Sequence, residues 1–231
     1  FLNPVVKSPR ECKTILVRIE DLKYKVFLCD KSKTELRGTK ALDYILWGEK
    51  QNYHKRPTCA TRKYWWGLGK QAIPFCSYPM INNDRLIFSL NQGICNDANL
   101  VGVYPKKESG INLLYSLNAT YNMLNMEILG IANLGDGAIK QNPIYIRNSI
   151  IIEPMYIQID DSKKLFQRDI KSIFQEVGFD LIKPLREQQP NPLPDRKALD
   201  DIVFDVLGLT EAEWKEVYWA TAELVKNRLD K

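Results

Sequence analysis

The chain has 231 residues, of which 45% are hydrophobic, 10% aromatic and 26% charged. This is the composition of an ordinary globular protein, and it excludes a disordered chain as the first expectation. No apolar run approaches the roughly 20 residues that a membrane-spanning helix needs, so we expect a soluble, cytoplasmic protein without a membrane partner. The chain begins with Phe1 rather than Met, and we interpret it as part of a longer polypeptide.

The net charge of +5 is distributed unevenly. Residues 1–70 hold 16 basic and 7 acidic side chains, a net of +9, whereas residues 71–194 have a net of −1 and residues 195–231 a net of −3. The basic segment also carries Tyr44, Trp47, Tyr53, Tyr64, Trp65 and Trp66. Cations that neutralise phosphates beside rings that stack on bases are typical of nucleic-acid surfaces. A solvated basic face over a buried aromatic cluster is the alternative interpretation.

The first elements in chain order are β-rich. Residues 14–29 contain two apolar runs on either side of a polar Glu20-Asp21 turn, which predicts a hairpin. Between Ile73 and Tyr104, short apolar runs alternate with Asn, Gly and Pro residues, which predicts short strands joined by tight turns.

The middle of the chain mixes both patterns. Apolar residues recur at helical spacing over 112–129 and stop at Gly130, which predicts one amphipathic helix. Strand-like runs follow at 144–146 and 150–153. A second helix is predicted over 162–177, with its N-terminal cap at 160–162 and its end at Gly178. Together these elements predict an α+β fold with a mixed or antiparallel sheet and packed helices.

The C-terminal part divides into a linker and a helical pair. Residues 184–196 are rich in proline and predict a linker between a main domain, 1–183, and a tail, 197–231. The first tail helix is predicted from Lys197 to Leu207, before Gly208, and the second starts at a capping box of Thr210 and Glu213. Two short amphipathic helices cannot bury both apolar faces alone, so we expect them to dock on the main domain or on another part of the polypeptide.

The residues form no recognisable catalytic constellation. The single histidine, His54, makes at most half of a metal site with Cys59, and no Cys-x-x-Cys pair is present. Gly135-Asp136-Gly137 lacks the third glycine of a dinucleotide loop. Glu153, Asp161 and Lys163 are compatible with a magnesium-dependent nuclease, although an acidic first turn that complements the helix dipole explains this segment more simply. We therefore assign no catalytic, cofactor-binding or metal-binding residue to this chain.

Four blocks of residues nevertheless occur in a characteristic order. They are Tyr53…Arg56-Pro57-Thr58-Cys59-x-x-Arg62-x-Tyr64-Trp65-Trp66-x-Leu68, then Cys76-x-Tyr78-Pro79, then Leu114-Tyr115-Ser116-Leu117-Asn118, and finally Leu134-Gly135-Asp136-Gly137-Ala138-Ile139-Lys140. This order resembles the C-terminal target recognition (TaqI-like specificity) domain of bacterial N6-adenine DNA methyltransferases and restriction–modification enzymes. The resemblance covers roughly residues 12–180, and the tail resembles the extreme C-terminus of such methylases.

The resemblance implies sequence-specific recognition of double-stranded DNA by a target recognition domain at 1–183. In that family an N-terminal methyltransferase domain of the same polypeptide binds S-adenosylmethionine and holds the flipped adenine with an Asn-Pro-Pro-Tyr type motif. Neither that motif nor the glycine-rich cofactor loop occurs here. We therefore expect this chain to bind DNA without a cofactor and without catalysis of its own.

The candidate DNA-binding residues are polar or basic side chains in the resembling blocks, and glycines that let the backbone approach a phosphate. They are Arg56, Arg62, Lys63, Lys70, Gln71, Asn82, Asn83, Arg85, Gly135, Gly137 and Lys140. The two glycines serve equally well in a tight turn, and Trp65 and Trp66 in a packed core. Two other classes of function stay open: a protein-interaction or scaffold domain that uses the acidic tail, and the nuclease.

Overall fold

The computed structural model describes residues 1–106, 110–132, 135–159 and 168–231. These residues form short strands and helices in one α+β arrangement, as predicted. The strands are β1 (Leu2–Val6), β2 (Tyr24–Phe27), β3 (Cys76–Pro79), β4 (Ile81–Asn82), β5 (Ser89–Leu90), β6 (Cys95–Asn96), β7 (Leu100–Val103) and β8 (Ile139–Lys140). The helices are α1 (Lys40–Lys50), α2 (Pro57–Ala60), α3 (Ile111–Asn118), α4 (Thr120–Leu129), α5 (Pro143–Asn148), α6 (Ile173–Val177), α7 (Pro194–Leu207) and α8 (Glu211–Leu229).

The strands make three small sheets. β1 lies between β2, which is antiparallel to it, and β6, which is parallel. β3 lies between β5 and β7, both antiparallel. β4 and β8 form an antiparallel pair. The sheets are therefore mixed and antiparallel, as the sequence predicts, and the short strands between 73 and 104 are confirmed at β3, β5 and β7.

The hairpin predicted over 14–29 is wrong. Its second half does form β2, but β2 pairs with β1, and the predicted turn at Glu20-Asp21 is part of a 3-10 helix over Ile19–Asp21. The first half makes only an isolated bridge between Leu16 and Leu90. The buried carboxylate of Glu11 accepts the Lys23 N–H at 3.1 Å and thereby fixes the chain before β2. A long-range pairing thus replaces the local one.

The helix predicted over 112–129 is broken at Ala119, whose ψ of 146° is extended. The break leaves the first N–H groups of α4 without hydrogen-bond partners inside the helix. The buried carboxylate of Asp200, in α7, accepts both the Thr120 N–H at 2.8 Å and the Thr120 hydroxyl at 2.6 Å. At the same position the Asn118 side chain bonds to both the N–H and the carbonyl of Phe88. Polar partners from distant segments therefore cap a break that apolar spacing cannot reveal.

Two further elements differ from their predictions. Residues 144–146 lie in α5, which begins at Pro143 behind an Asn142 cap, and 150–153 form no strand. Of the helix predicted over 162–177, the described residues 168–177 form only α6, because residues 168–172 are not helical and Ser172 caps the start of α6. The predicted cap at 160–162 lies outside the described residues. Gly178 does end α6, with a φ of +78°.

Both tail helices and their docking are confirmed, but α7 starts at Pro194, three residues before the predicted Lys197 and inside the predicted linker. α7 ends at Gly208, with a φ of +67°, and the Thr210–Glu213 capping box starts α8. Val203 and Tyr218 of the tail share one buried cluster with Leu114 and Met123 of the preceding helices. The proline-rich segment contributes to this packing, since Leu185 is buried in the same cluster and Arg186 pairs with Glu216 and Glu223 of α8.

Candidate nucleic-acid interface

A small separate core supports the basic N-terminal segment. It consists of Cys29, Leu36, Ala41, Ile45 and Trp66, with partly buried Phe27, Leu42, Tyr64 and Trp65 around them. The Thr39 hydroxyl caps the start of α1, and Gly48 of α1 leaves the space that the Trp65 ring occupies. Trp66 is therefore a core residue here. This core holds α1 so that its opposite face is exposed.

Tyr44 and Trp47 on that exposed face continue into the half-buried rings of Phe27 in β2 and Tyr53 after α1. We call this line of rings the aromatic stripe: Phe27, Tyr44, Trp47 and Tyr53. Neighbouring ring centroids lie 5.2, 5.7 and 5.5 Å apart in this order. The guanidinium of Arg56 lies 4.3 Å from the centre of the Tyr53 ring and extends the stripe with a cation. Tyr44 is 48% and Trp47 47% exposed, which is far more than a core role would require of large aromatic side chains.

Exposed cations surround the stripe. Lys25, Lys40, Lys50, Lys55 and Arg56 are all exposed, and in the described part of the chain none of them forms an ion pair. The nearby ion pair of Lys33 with Glu49, at 2.6 Å, involves a carboxylate that also accepts the Trp65 indole N–H at 3.2 Å. The hydrogen bond from Lys33 is the main cause that lowers the pKa of Glu49. Of the two acidic side chains of α1, Glu49 is thus paired, whereas Asp43 is exposed and has no ion pair among the described residues; the five cations still give the surface around the stripe an excess of positive charge.

Four predicted residues follow the stripe in the chain. Arg62 and Lys63 line an open cavity of about 420 Å³ together with Asp30 and Tyr64, and the Lys63 ammonium lies 5.3 Å from the centre of the Tyr64 ring. Lys70 and Gln71 follow in the exposed loop before β3, where the Gln71 amide donates to the Leu68 carbonyl at 2.7 Å. These residues have exposed polar groups that a polyanion could reach.

The predicted residues at the β4 turn have mixed environments. Asn82 is buried, and its amide donates to the Pro79 carbonyl at 2.9 Å. Arg85 donates to the Pro9 carbonyl at 2.9 Å, and the Asn83 carbonyl accepts from Arg228. All three line a cavity of about 570 Å³, to which Arg10 also contributes. Asn83 and Arg10 are exposed there, whereas the Asn82 amide serves the fold.

The glycine loop before β8 is also occupied by internal contacts. Gly135, Asp136 and Gly137 all have positive φ angles, of +77°, +49° and +64°. A Cβ on Gly137 would lie 2.5 Å from the Leu229 Cα, and the Gly137 carbonyl accepts from Arg228. Gly137 therefore lets the loop pack against α8. Gly135 and Lys140 are exposed.

The sequence did not predict four residues of this surface as DNA-binding residues: Tyr44, Trp47, Lys25 and Lys40. Its aromatic content did include the first two. The i, i+3 spacing of Tyr44 and Trp47 places both on one face of a helix, and this signal was available. Lys25 of β2 and Lys40 of α1 come together only where Phe27 of β2 packs against α1, so neighbouring residues in the sequence could not reveal them.

The buried ionisable groups elsewhere are engaged in structural networks. Arg228 pairs with Glu127 at 2.8 Å, and Arg196 donates to Glu176 at 3.2 Å and to the Asn118 carbonyl at 2.6 Å. Burial raises the pKa of Asp200, although the charge of Arg196 and the hydrogen bonds from Thr120 act to lower it. No group of three or more potential metal ligands occurs among the described residues. Glu153 of the nuclease hypothesis is exposed beside a 3-10 turn, and Asp161 and Lys163 lie outside the described residues.

Comparison with protein-family models, curated proteins and solved structures finds no match to this chain. In the described residues, no helix combines the length and apolar character required to cross a bilayer.

Proposed function

We propose that this chain binds duplex DNA and supplies sequence recognition to an N6-adenine DNA methyltransferase of a restriction–modification system. The observation that carries the proposal is the aromatic stripe, which ends on Arg56 and is surrounded by cations without ion pairs. The order of motifs around residues 53–68 supports the methyltransferase assignment. Such a protein would work in the bacterial cytoplasm.

Exposed cations that lack carboxylate partners are well suited to phosphates, because binding releases counterions from DNA without first breaking a protein ion pair. Arg56, Arg62, Lys63 and Lys70 are the proposed phosphate contacts. Gln71, Asn83 and Arg85 are the proposed readers of base edges, where a good bidentate contact contributes about 1–3 kcal/mol of discrimination. Asn82 and Gly137 are left out of the surface because both are buried in internal contacts, whereas Gln71, Asn83 and Arg85 keep exposed surface.

In this proposal the chemistry belongs to a separate N-terminal methyltransferase domain. That domain would bind S-adenosylmethionine and the flipped adenine, and the present chain would hold the duplex from the other side. Within these residues no cofactor is needed. The acidic tail stabilises the helical core, and Arg228 at its end donates to the Asn83 carbonyl beside the proposed base readers.

Binding to a fluorescent duplex over about 50–200 mM salt tests the proposal. We expect log affinity to fall linearly with log salt concentration, and the double variant Arg62→Ala, Lys63→Ala to reduce that slope by about 2, since each lost phosphate contact removes about 1. Lys197→Ala, Lys215→Ala is the matched control, because it removes two lysines that pair with Asp201 and Glu211 in the tail.

Absent or salt-independent binding at low ionic strength would contradict the proposal and favour a protein-interaction domain. A slope that falls equally in both double variants would also contradict it, because the effect would then follow net charge alone. Selection of bound sequences from randomised duplexes then measures whether recognition is sequence-specific.

A further inference from the structure

A cavity of about 520 Å³ opens beside the aromatic stripe, between strand β2 and helix α1. Phe27 and Tyr44 of the stripe, the Ala41 methyl group and Phe1 contribute apolar surface to its lining. The Phe27 ring meets Tyr44 at 61° and Phe1 at 52°, so the rings are inclined to one another and do not fill the space by stacking. The volume lies within the range of about 300–1,000 Å³ that is typical of small-molecule sites.

Two lysines complete the lining. Lys25 comes from β2 and Lys40 is the first residue of α1. Both are exposed and form no ion pair in the described part of the chain, and none of the described residues that line the cavity is acidic. Aromatic walls beside two cations suit a ligand that has a planar aromatic group and an attached anion. A nucleotide has both.

We propose that this cavity holds one unpaired nucleotide of DNA, with its base against Phe27 and Tyr44 and its phosphate between Lys25 and Lys40. The inference rests on the proposed DNA-binding function and extends it. In a fully paired duplex the faces of each base are covered by its neighbours, so the rings could not stack on them. An unpaired base displaced from the helix exposes both faces, and extruding it costs less than extruding a paired one.

The test compares two fluorescent duplexes of the same sequence, one fully paired and one with a single extra unpaired base at its centre. With the full chain we expect the second duplex to bind about 10-fold more tightly, as base–aromatic stacking on one residue commonly contributes a factor of this size. Tyr44→Ala should abolish the preference, and Tyr44→Phe should retain it. Leu46→Ala is the matched control, because Leu46 is also exposed on α1 but does not line the cavity.

The double variant Lys25→Ala, Lys40→Ala tests the phosphate position without touching the rings, and it should also reduce the preference. Thermal unfolding of each variant shows whether it folds. Equal affinity for the two duplexes would overturn the cavity assignment and leave the proposed function standing, and so would a preference that persists in folded Tyr44→Ala. Binding of neither duplex would overturn both. A free deoxynucleoside monophosphate that binds more tightly than the unpaired-base duplex would point to a small-molecule site and overturn the inference.

Discussion

The basic N-terminal region, residues 24–71, and the helical core formed by α3, α4 and α6–α8 use the same residue types in opposite ways. In the helical core, Arg196 and Arg228 are buried and paired with Glu176 and Glu127. In the basic region the cations around the stripe are exposed and, in the described part of the chain, have no carboxylate partner. A buried cation must be paired, because removing it from water is costly. An exposed unpaired cation contributes little to folding and is free to bind an anion.

The aromatic residues show the same contrast. Phe204, Trp214 and Tyr218 contact each other within the main buried cluster, and the Tyr218 hydroxyl donates to Asp200 at 3.1 Å. Tyr44 and Trp47 contact each other as well, yet each leaves nearly half its surface to solvent. The helical core therefore uses its rings for stability. The basic region leaves ring surface uncovered, and that surface is what a partner could bury.

The largest effect should separate a buried arginine from an exposed one. Arg228→Ala leaves the buried Glu127 carboxylate without its partner and frees the carbonyls of Asn83 and Gly137. We expect the free energy of unfolding to fall by about 3–5 kcal/mol, measured by urea denaturation. Arg186→Ala is the matched control, since Arg186 also pairs with two carboxylates, Glu216 and Glu223, but at the surface. Its cost should stay within about 1 kcal/mol, and equal costs for the two variants would contradict the contrast.

The second prediction concerns pH and the carboxylate of Glu176. Burial alone would raise its pKa, but the hydrogen bond from Arg168 and the charge of Arg196 hold the pKa below its usual value of 4.5. The stabilisation from Glu176 is therefore present above pH 4.5 and disappears as the pH falls through the lowered folded-state pKa. Glu176→Gln should cost about 1.5–3 kcal/mol at neutral pH through its charged hydrogen bonds.

The cost of Glu176→Gln should shrink below pH 4.5, because the wild-type carboxyl then loses its charge too. Urea titrations of both proteins between neutral and acidic pH measure this difference. Subtracting the two curves removes the contributions of Asp200 and Glu127, in both of which burial raises the pKa. A difference that grows as the pH falls would contradict the assignment.

The third prediction concerns the small core beneath the stripe. Gly48→Ala would place a methyl group 2.3 Å from the Trp65 ring, so the ring has to move. Overpacking of this kind costs about 1–3 kcal/mol. We expect hydrogen exchange to accelerate in α1 and around Trp65 and to stay unchanged in α7 and α8, since the two regions have separate buried clusters. Gly38→Ala provides a control without a clash, because no atom lies within 4 Å of its added methyl, although its positive φ adds some backbone strain. Acceleration throughout the chain would show that the regions unfold as one unit.

The two regions also differ in how far their sequences predict them. The tail helices are specified locally: Gly208 adopts the left-handed conformation that ends α7, and Thr210 and Glu213 form the capping box of α8. The end of α7 and the start of α8 could therefore be predicted from a few neighbouring residues, whereas the start of α7 at Pro194 was not. The break at Ala119 could not, because the groups that stabilise it, Asp200 and Phe88, lie far away in the chain. The same reason explains why β2 pairs with β1 instead of forming the expected hairpin.

The candidate site, like the fold, could be predicted from the sequence only in part. The excess of positive charge and the aromatic content of residues 1–70 can be counted without a structure. Asn82 and Gly137 illustrate the limit, since a polar amide and a glycine look equally suited to DNA or to the fold until their partners are known. Those partners are the Pro79 carbonyl for Asn82 and the end of α8 for Gly137.

The smallest effect on stability should come from removing the Trp47 ring, which can be compared directly with the rings of the helical core. Trp47→Ala removes an exposed ring that contacts only Tyr44 and Tyr53 among the aromatic side chains of the described residues, so the free energy of unfolding should change by no more than about 0.5–1 kcal/mol. Affinity for a duplex with unpaired bases, whose faces are open to the stripe, should nevertheless fall by about 1–3 kcal/mol, the usual contribution of one stacking ring. Trp47→Phe keeps a ring at this position and should retain most of the affinity.

Trp214→Ala, in the helical core, should show the opposite pattern, with lower stability and unchanged affinity, because the Trp214 ring packs on Phe204 and Tyr218. Equal losses of stability in the two alanine variants would mean that the stripe is part of the core.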